Sequence, residues 1–246
     1  MRIAVFSDIH GNYEALEAFA EHSSRMKTDM YVCLGDIVGY GANPNECIAR
    51  LLKLPNIRFL LGNHDAAASG RDSPYDMNRD ASRAILWTIE TLSSDHTEFL
   101  KNLDVTIKKD GILFSHANPY RPLAWYYVDE VEYAARSFAR TKEKILFVGH
   151  THVSSVITKK NIFSIIFEMP DENEVVAVNK NKRQIINCGS IGQPRDGDPR
   201  SSYLIYDVEK GIIEFYRISY DYERTAEKIR ANGLPESLAM RLSKGL

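Results

Sequence analysis

Five of the seven histidines in this 246-residue chain stand at or just past the end of a short apolar run. They are His10, His64, His116, His150 and His152. The runs before them, residues 2–6, 57–61, 112–115 and 144–148, are short and bounded by turn residues, which predicts strands buried in a sheet. In α/β proteins the carboxyl ends of strands are where loops are free to carry function. A fold that suits this chain must therefore bring several strand ends to one edge. His22 and His96 fall instead on predicted helices among polar neighbours and are expected to face water.

The first part alternates strand and helix. After the strand at 2–6, Asn12 can cap a helix reaching about residue 24, with Tyr13, Leu16, Phe19 and Ala20 on one stripe. Residues 30–34 read as a strand. Pro44 suits the first turn of a helix over 44–53, and 57–61 is a third strand. Helical stretches follow at 80–91 and 95–102. Strands spaced by helices in this way imply a parallel sheet with right-handed crossovers. The second part is richer in strands. Residues 105–108 and 112–115 flank Asp110-Gly111, a hairpin signal. After a helix at 129–139 and a strand at 144–148, residues 153–158 and 162–167 flank a second hairpin turn. Strands at 184–187, 203–208 and 212–219 follow, the last two joined by Glu209-Lys210-Gly211. So many strands imply two sheets packed face to face. Two helical pieces, 221–231 and 235–244, close the chain. The whole of 1–246 reads as one domain with residues from about 221 onward as an appendage.

Composition removes several classes. Lys and Arg total 31 against 33 Asp and Glu, a formal charge of −2. A protein held to nucleic acid by phosphate contacts is usually basic, so that partner is disfavoured. No apolar run approaches the roughly 20 residues of a membrane helix, and the start of the chain lacks a signal-peptide pattern. Three scattered cysteines, Cys33, Cys47 and Cys188, make neither a disulfide framework nor a thiolate zinc site, which suits a cytoplasmic location.

Acidic and amide side chains accompany the histidines. The strand ends carry Asp8-Ile9-His10, Gly35-Asp36, Gly62-Asn63-His64-Asp65, Ser115-His116 and Gly149-His150-Thr151-His152. Side chains two apart in extended chain point the same way, so Asp8 with His10, and His150 with His152, are expected to aim into one cavity. Each piece alone has an ordinary reading as a loop cap, a turn or a core histidine. Their joint occurrence, each behind an apolar strand, does not. Two Asp, one Asn and four His beyond His64 exceed what one tetrahedral ion takes, whereas two ions sharing a carboxylate would use them all. Two divalent cations against two carboxylates leave excess positive charge, which suits an anionic phosphoester.

This ordered set resembles the calcineurin-like metallophosphoesterases, in their compact bacterial and archaeal phosphodiesterase branch. The likeness runs from residue 1 to about 220. It implies an α/β fold, a four-layer α/β/β/α sandwich of two mixed sheets flanked by helices. It implies two divalent ions, drawn from Mn, Fe, Ni, Co or Zn. Asp8, His10 and His152 would hold one, Asn63, His116 and His150 the other, and Asp36 would bridge. His64 would contact the substrate phosphate, together with Asn63, and protonate the leaving oxygen. The implied activity is phosphoester hydrolysis by water activated at the ions, with diesters as the first expectation. Phosphomonoesters, phosphoproteins and dinucleoside polyphosphates are the alternatives. A non-catalytic module with this fold would be expected to lack ligands, and here every position is filled.

Some features stay open at this level. The phosphoprotein phosphatase branch carries an arginine after its Gly-Asp, and the stretch from Ile37 to Pro44 has none. Arg195 or Arg200, in or after a glycine-rich loop at 187–195, could supply that phosphate contact, or could pair with Asp196 or Asp198. Asp65 could orient His64 or cap the segment after it. The aromatic stretch 118–127 could form a wall for a nucleotide-like substrate or pack in a core. Lys180-Asn181-Lys182-Arg183 reads as a solvated turn, and Cys188 as a small buried residue. Oligomeric state is not legible.

Overall fold

The computed structural model describes residues 1–161, 164–179 and 181–246. Its elements in chain order are β1 (Arg2–Phe6), α1 (Tyr13–Arg25), β2 (Met30–Cys33), α2 (Pro44–Leu51), β3 (Ile57–Phe59), α3 (Asn63–Ala68), α4 (Arg79–Thr91) and α5 (Ser94–Lys101). There follow β4 (Thr106–Lys109), β5 (Ile112–Ser115), a 3-10 turn (Pro122–Ala124), α6 (Val131–Arg140), β6 (Ile145–Val148), β7 (Ser154–Lys159) and β8 (Ile165–Glu168). The chain closes with β9 (Val175–Ala177), β10 (Arg183–Cys188), β11 (Ser201–Asp207), β12 (Ile212–Ile218), α7 (Tyr222–Ala231) and α8 (Glu236–Leu242).

Among the described residues the strands form two six-stranded mixed sheets. Their orders are β3-β2-β1-β11-β12-β9 and β4-β5-β6-β10-β7-β8. In the first, β1, β2 and β3 run parallel. In the second, β5, β6 and β10 run parallel. Residue parity along the strands explains the layering. Ile3 and Val5 of β1, Val32 of β2 and Leu204 and Tyr206 of β11 enter one buried cluster with Phe114 of β5, Phe147 of β6, Val156 of β7 and Ile186 of β10. That cluster is the seam between the sheets. The alternate residues Ala4, Phe6, Tyr31, Cys33, Tyr203 and Ile205 pack instead with Leu16 and Phe19 of α1 and Ile48 of α2. On the far side Leu113, Leu146, Val148 and Ile185 pack on Ala134 and Phe138 of α6. A strand buried on both faces reads as a continuous apolar run, which is why these strands were legible. The four layers expected from the sequence are present.

Local signals explain most boundaries. Asn12 caps α1, its Oδ1 accepting from Ala15 N at 3.1 Å, while its Nδ2 donates to the Gly192 carbonyl at 2.9 Å. Asp110 and Gly111 both have positive φ, as a two-residue hairpin between β4 and β5 requires. β7 and β8 also pair antiparallel. Ile162 and Phe163 of the strand expected there, and Lys180 of the expected basic turn, lie outside the described residues. Arg183 is not simply solvated, because its Nη2 donates to the Thr141 carbonyl at 2.9 Å. Two further expectations are corrected. His22 is half-buried, its Nδ1 bonded to the Tyr203 hydroxyl at 2.8 Å, because β11 and β12 place Tyr203 and Tyr216 under α1. His96 is also half-buried, with Nδ1 at 2.7 Å from Asn45 Oδ1. The short helix α3 and β9, the edge strand paired with β12, are additions to the elements expected from the sequence. No helix among the described residues is long and apolar enough to cross a membrane.

Candidate metal centre

The carboxyl ends of β1, β2 and β3 meet those of β5, β6 and β10. Asp8 follows β1, Asp36 follows β2, Asn63 and His64 follow β3, His116 follows β5, and His150 and His152 follow β6. The chain paths interlock through backbone bonds, from His10 N to the Asp36 carbonyl, Gly11 N to the Ile37 carbonyl and Gly149 N to the His116 carbonyl. The expectation that extended chain aims the paired side chains is corrected. Asp8, His10, Asp36, His150 and His152 all have positive φ, between 51° and 68°. Left-handed backbone at non-glycine residues is costly and persists only where surroundings enforce it. Asp8 and His10 converge because each residue is a turn.

Each carboxylate has one oxygen fixed by backbone and one turned inward. Asp8 Oδ2 accepts from His150 N at 3.0 Å. Its Oδ1 is buried with no hydrogen-bond partner among the described residues, 3.3 Å from His152 Nε2 and 3.8 Å from His10 Nε2. Asp36 Oδ1 accepts from His64 N at 2.8 Å. Its Oδ2 lies 3.7 Å from His10 Nε2 and 3.4 Å from His116 Nε2. His116 Nε2 is also 3.3 Å from Asn63 Oδ1 and 3.1 Å from His150 Nδ1. The arrangement is therefore two groups of donors with Asp36 Oδ2 between them.

The outer nitrogens fix the tautomers. His10 Nδ1 donates to the Val38 carbonyl at 3.2 Å and His152 Nδ1 to the Gln193 carbonyl at 2.5 Å. The Nε2 lone pairs of these two rings then face each other at 3.2 Å. Two facing lone pairs repel, and a cation between them reverses the sign. His150 is turned the other way. Its Nε2 donates to the Trp125 carbonyl at 2.8 Å, which leaves Nδ1 as the inward donor. Together with the orphaned Asp8 Oδ1, this donor set fits divalent cations.

Burial dominates the electrostatics. It holds His150 down at about 3 and His64 at about 4, and it also lowers His10 and His152. At His116 burial works in the same direction, but the Asp36 carboxylate outweighs it and the ring rises to about 9. Burial would raise Asp36, but the charge and hydrogen bond of His116 outweigh it and hold the carboxyl well below the usual carboxylate range. Apart from His116, whose carboxylate neighbour favours the protonated ring, the imidazoles are held neutral beside ionised carboxylates, which is a cation-ready state.

A cavity of about 350 Å³ opens over this centre. Asn63, His64, Tyr40, Trp125, Tyr127 and Arg195 line it, with Asp72 and Asp76 on its wall. His64 packs over Gly39, where a Cβ would come within 2.4 Å of His64 Nδ1, so no larger residue fits. Gly62 is held to the same standard, since a Cβ there would sit 2.0 Å from Asp36 Oδ1. His64 also groups with His10 and Asp36 within 4.8 Å, so its place beside the donors is clear.

Residues 1–211 match the sequence pattern of the calcineurin-like phosphoesterase superfamily domain. This chain belongs to that superfamily. A metallophosphoesterase from Sphaerobacter thermophilus is 38% identical in its crystal structure, with a TM-score of 0.89 over 100% of this chain and 99% of that one. An uncharacterized protein of Methanocaldococcus jannaschii is 38% identical over 247 residues, 99% of this chain and 98% of its own length. A hypothetical protein from Pyrococcus horikoshii has the same fold, with a TM-score of 0.80 at 21% identity over 100% and 98% of the two chains. The metallophosphoesterase resemblance in the sequence is thereby borne out, as is the layered α/β fold. The matched pattern ends before α7 and α8, yet the Sphaerobacter and Methanocaldococcus proteins extend over them.

The open features of the sequence resolve within this metallophosphoesterase framework. Asp65 does not orient His64. Its Oδ1 accepts from Ile37 N and Val38 N at 2.9 and 3.2 Å, and its Oδ2 from Gly62 N at 3.2 Å. Burial and the nearby Asp36 push its carboxyl up to about 7. Arg200 is taken by Asp198 and Glu172, at 2.7 and 2.8 Å, and Asp196 by Arg217. Arg195 forms no salt bridge among the described residues and lines the cavity, with its Nη2 donating to Gln193 Oε1 at 2.9 Å. The aromatic stretch divides, with Trp125 and Tyr127 on the cavity, while Tyr126 stacks with Tyr120 at 6.5 Å and meets Tyr133 of α6 at 5.6 Å. Cys188 is buried in the seam. Tyr40 and Asp72 were not singled out in the sequence. The only signal for Tyr40 was its place between two glycines.

Proposed function

We propose that this chain is a metal-dependent hydrolase of small phosphoesters, with diesters preferred, and that it works with two divalent ions. The observation that carries the reading is the position of Asp36 Oδ2, which lies 3.7 and 3.4 Å from one histidine of each donor group. Asp8, His10 and His152 would hold one ion, Asn63, His116 and His150 the other, and Asp36 would serve both. When bound, such a pair makes water nucleophilic near neutral pH and neutralises charge on phosphoryl oxygens.

The chain's own residues supply the rest. Arg195 lines the cavity and forms no salt bridge among the described residues, so its positive charge is free to meet a phosphate oxygen. His64 stands beside the donors with its ring on the cavity. Burial keeps it neutral, and an anionic phosphate seated against it supplies the charge that favours a proton there. It then donates that proton to the departing oxygen. Trp125 and Tyr127 give a flat aromatic wall for an aryl or base-like leaving group. Asp72 and Asp76 are exposed acids beside the cavity, and they repel extended polyanions. A diester, with a single negative charge, meets less repulsion than a monoester, and that favours diesters over monoesters and over nucleic acid.

Elemental analysis after incubation with manganese is expected to find two ions per chain. The manganese-loaded protein is expected to turn over a bis-aryl phosphate faster than the matching aryl phosphate. His64→Ala should keep both ions and lose about 10²- to 10⁴-fold in kcat. Absence of bound manganese would sink the reading, as would a His64→Ala variant that loses metal and keeps its rate. A monoester preference would sink the substrate assignment.

A further inference from the structure

The loop after β2 places Tyr40 against the centre. Its backbone is left-handed, with φ 58°, and the residue is 6% exposed. The ring contacts two histidines of the centre, with centroids 4.6 Å from His10 and 4.5 Å from His64. The Arg195 guanidinium lies 5.9 Å from the centroid of the same ring, and its Nη2 donates to Tyr40 Oη at 3.4 Å. Tyr40 is also buried with Ala226 and Ile229 of α7, Leu238 and Leu242 of α8, and Leu234 between them. Ala81 and Ala84 of α4 complete that cluster.

These contacts join parts of the chain that are otherwise separate. The helices α7 and α8 lie beyond the residues matched by the superfamily pattern. They sit under a ring that touches His10 and His64 and carries Arg195. An arginine held by one glutamine oxygen would sweep a wide arc, and a ring face with a hydroxyl acceptor narrows it.

We propose that Tyr40 is a positioning residue that aims Arg195 at the substrate phosphate, and that the C-terminal helices α7 and α8 belong to the active site because they hold Tyr40 in place. This rests on the phosphoesterase reading above. Tyr40→Phe keeps the ring and removes the acceptor. Leu238→Ala thins the packing beneath the ring without replacing any donor of the centre.

The test uses the full chain loaded with manganese, a bis-aryl phosphate for turnover and inorganic phosphate for direct titration calorimetry. Tyr40→Phe is expected to raise KM and the dissociation constant of phosphate about 3- to 10-fold, with kcat within about twofold and both ions retained. Leu238→Ala should move both constants in the same direction by about 2- to 3-fold. Arg195→Gln should raise them about tenfold or more, and Tyr40→Phe with Arg195→Gln should be no worse than Arg195→Gln alone, since the tyrosine acts through the arginine. Multiplying single effects in the double variant would overturn the proposal. So would a Tyr40→Phe protein that melts lower while its phosphate affinity and KM stay at wild-type values. A wild-type chain that neither binds phosphate nor turns over the diester would instead remove the phosphoesterase reading itself.

Discussion

The donor group of Asp8, His10 and His152 and the group of Asn63, His116 and His150 share Asp36 but are braced by different parts of the molecule. In the first group the outer nitrogens donate to the carbonyls of Val38 and Gln193, both residues buried. In the second, His150 leans on the carbonyl of Trp125, which sits in the partly exposed 118–127 stretch. Trp125 holds a left-handed backbone, φ 52° and ψ 26°, at a cost of about 1 to 2 kcal/mol for a bulky residue. Its indole Nε1 donates to Asp72 Oδ2 at 2.8 Å, and Tyr127, 43% exposed, stacks on His150 at 4.4 Å. His116 Nδ1 is buried with no hydrogen-bond partner among the described residues. The same kinds of donor are thus braced by buried backbone in one group and by a surface loop in the other. Outer partners of metal ligands tune affinity, so the second group should bind more weakly and respond to what enters the cavity.

The strongest way to break that contrast acts on the atom both groups share. Asp36→Asn replaces the one charge between them, and we expect both ions to be lost, with affinities down by about 100-fold or more. Manganese counted by elemental analysis checks it, and loss of a single ion would contradict the shared carboxylate. A smaller effect sharpens the contrast. Asp72→Ala frees the Trp125 indole without touching any donor. One of two steps in a manganese titration should weaken about tenfold while the other stays put. Equal weakening of both steps would show that the bracing is not unequal.

The smallest effect lies outside both groups, in the loop that carries Arg195. The Arg200 hydrogen bonds lower the Asp198 carboxyl below its ordinary value. A depressed folded-state pKa gives stability that is present above the unfolded value of 3.8 and is lost as pH falls through the folded value. Asp198→Asn should therefore melt slightly lower than wild type at pH 7, by less than about 1 kcal/mol. The two curves should converge as the pH drops below about 4. A gap that persists in acid would mean the ion pair is not its source.

Much of the centre was legible because its donors are local punctuation. Each follows an apolar strand, and parity along that strand is a property of neighbours in sequence. The strand ends carrying Asp8, Asp36, Asn63 and His150 could be found without knowing which strands pair. What failed was the route by which the side chains converge. Extended-chain alternation was the natural expectation for Asp8 and His10, but the backbone there is left-handed. Only contacts from elsewhere enforce such turns, such as His150 N on Asp8 Oδ2 across 142 residues. His22 was misjudged for the same reason, since its partner Tyr203 lies 181 residues away.

By itself the sequence determined the strands, their double-sided burial, the set of donors at their carboxyl ends and the superfamily those donors mark. These follow from periodicity and residue type, which act over a few positions. The tertiary structure alone decided that Asp36 Oδ2 lies between the two groups, that Asp65 braces backbone instead of His64, and that Arg195, not Arg200, reaches the cavity. It also decided that Tyr40 rests on helices from the far end of the chain. Each of these depends on which of several equally plausible partners comes within a few ångströms, and that is fixed only when both sheets and all their loops have closed.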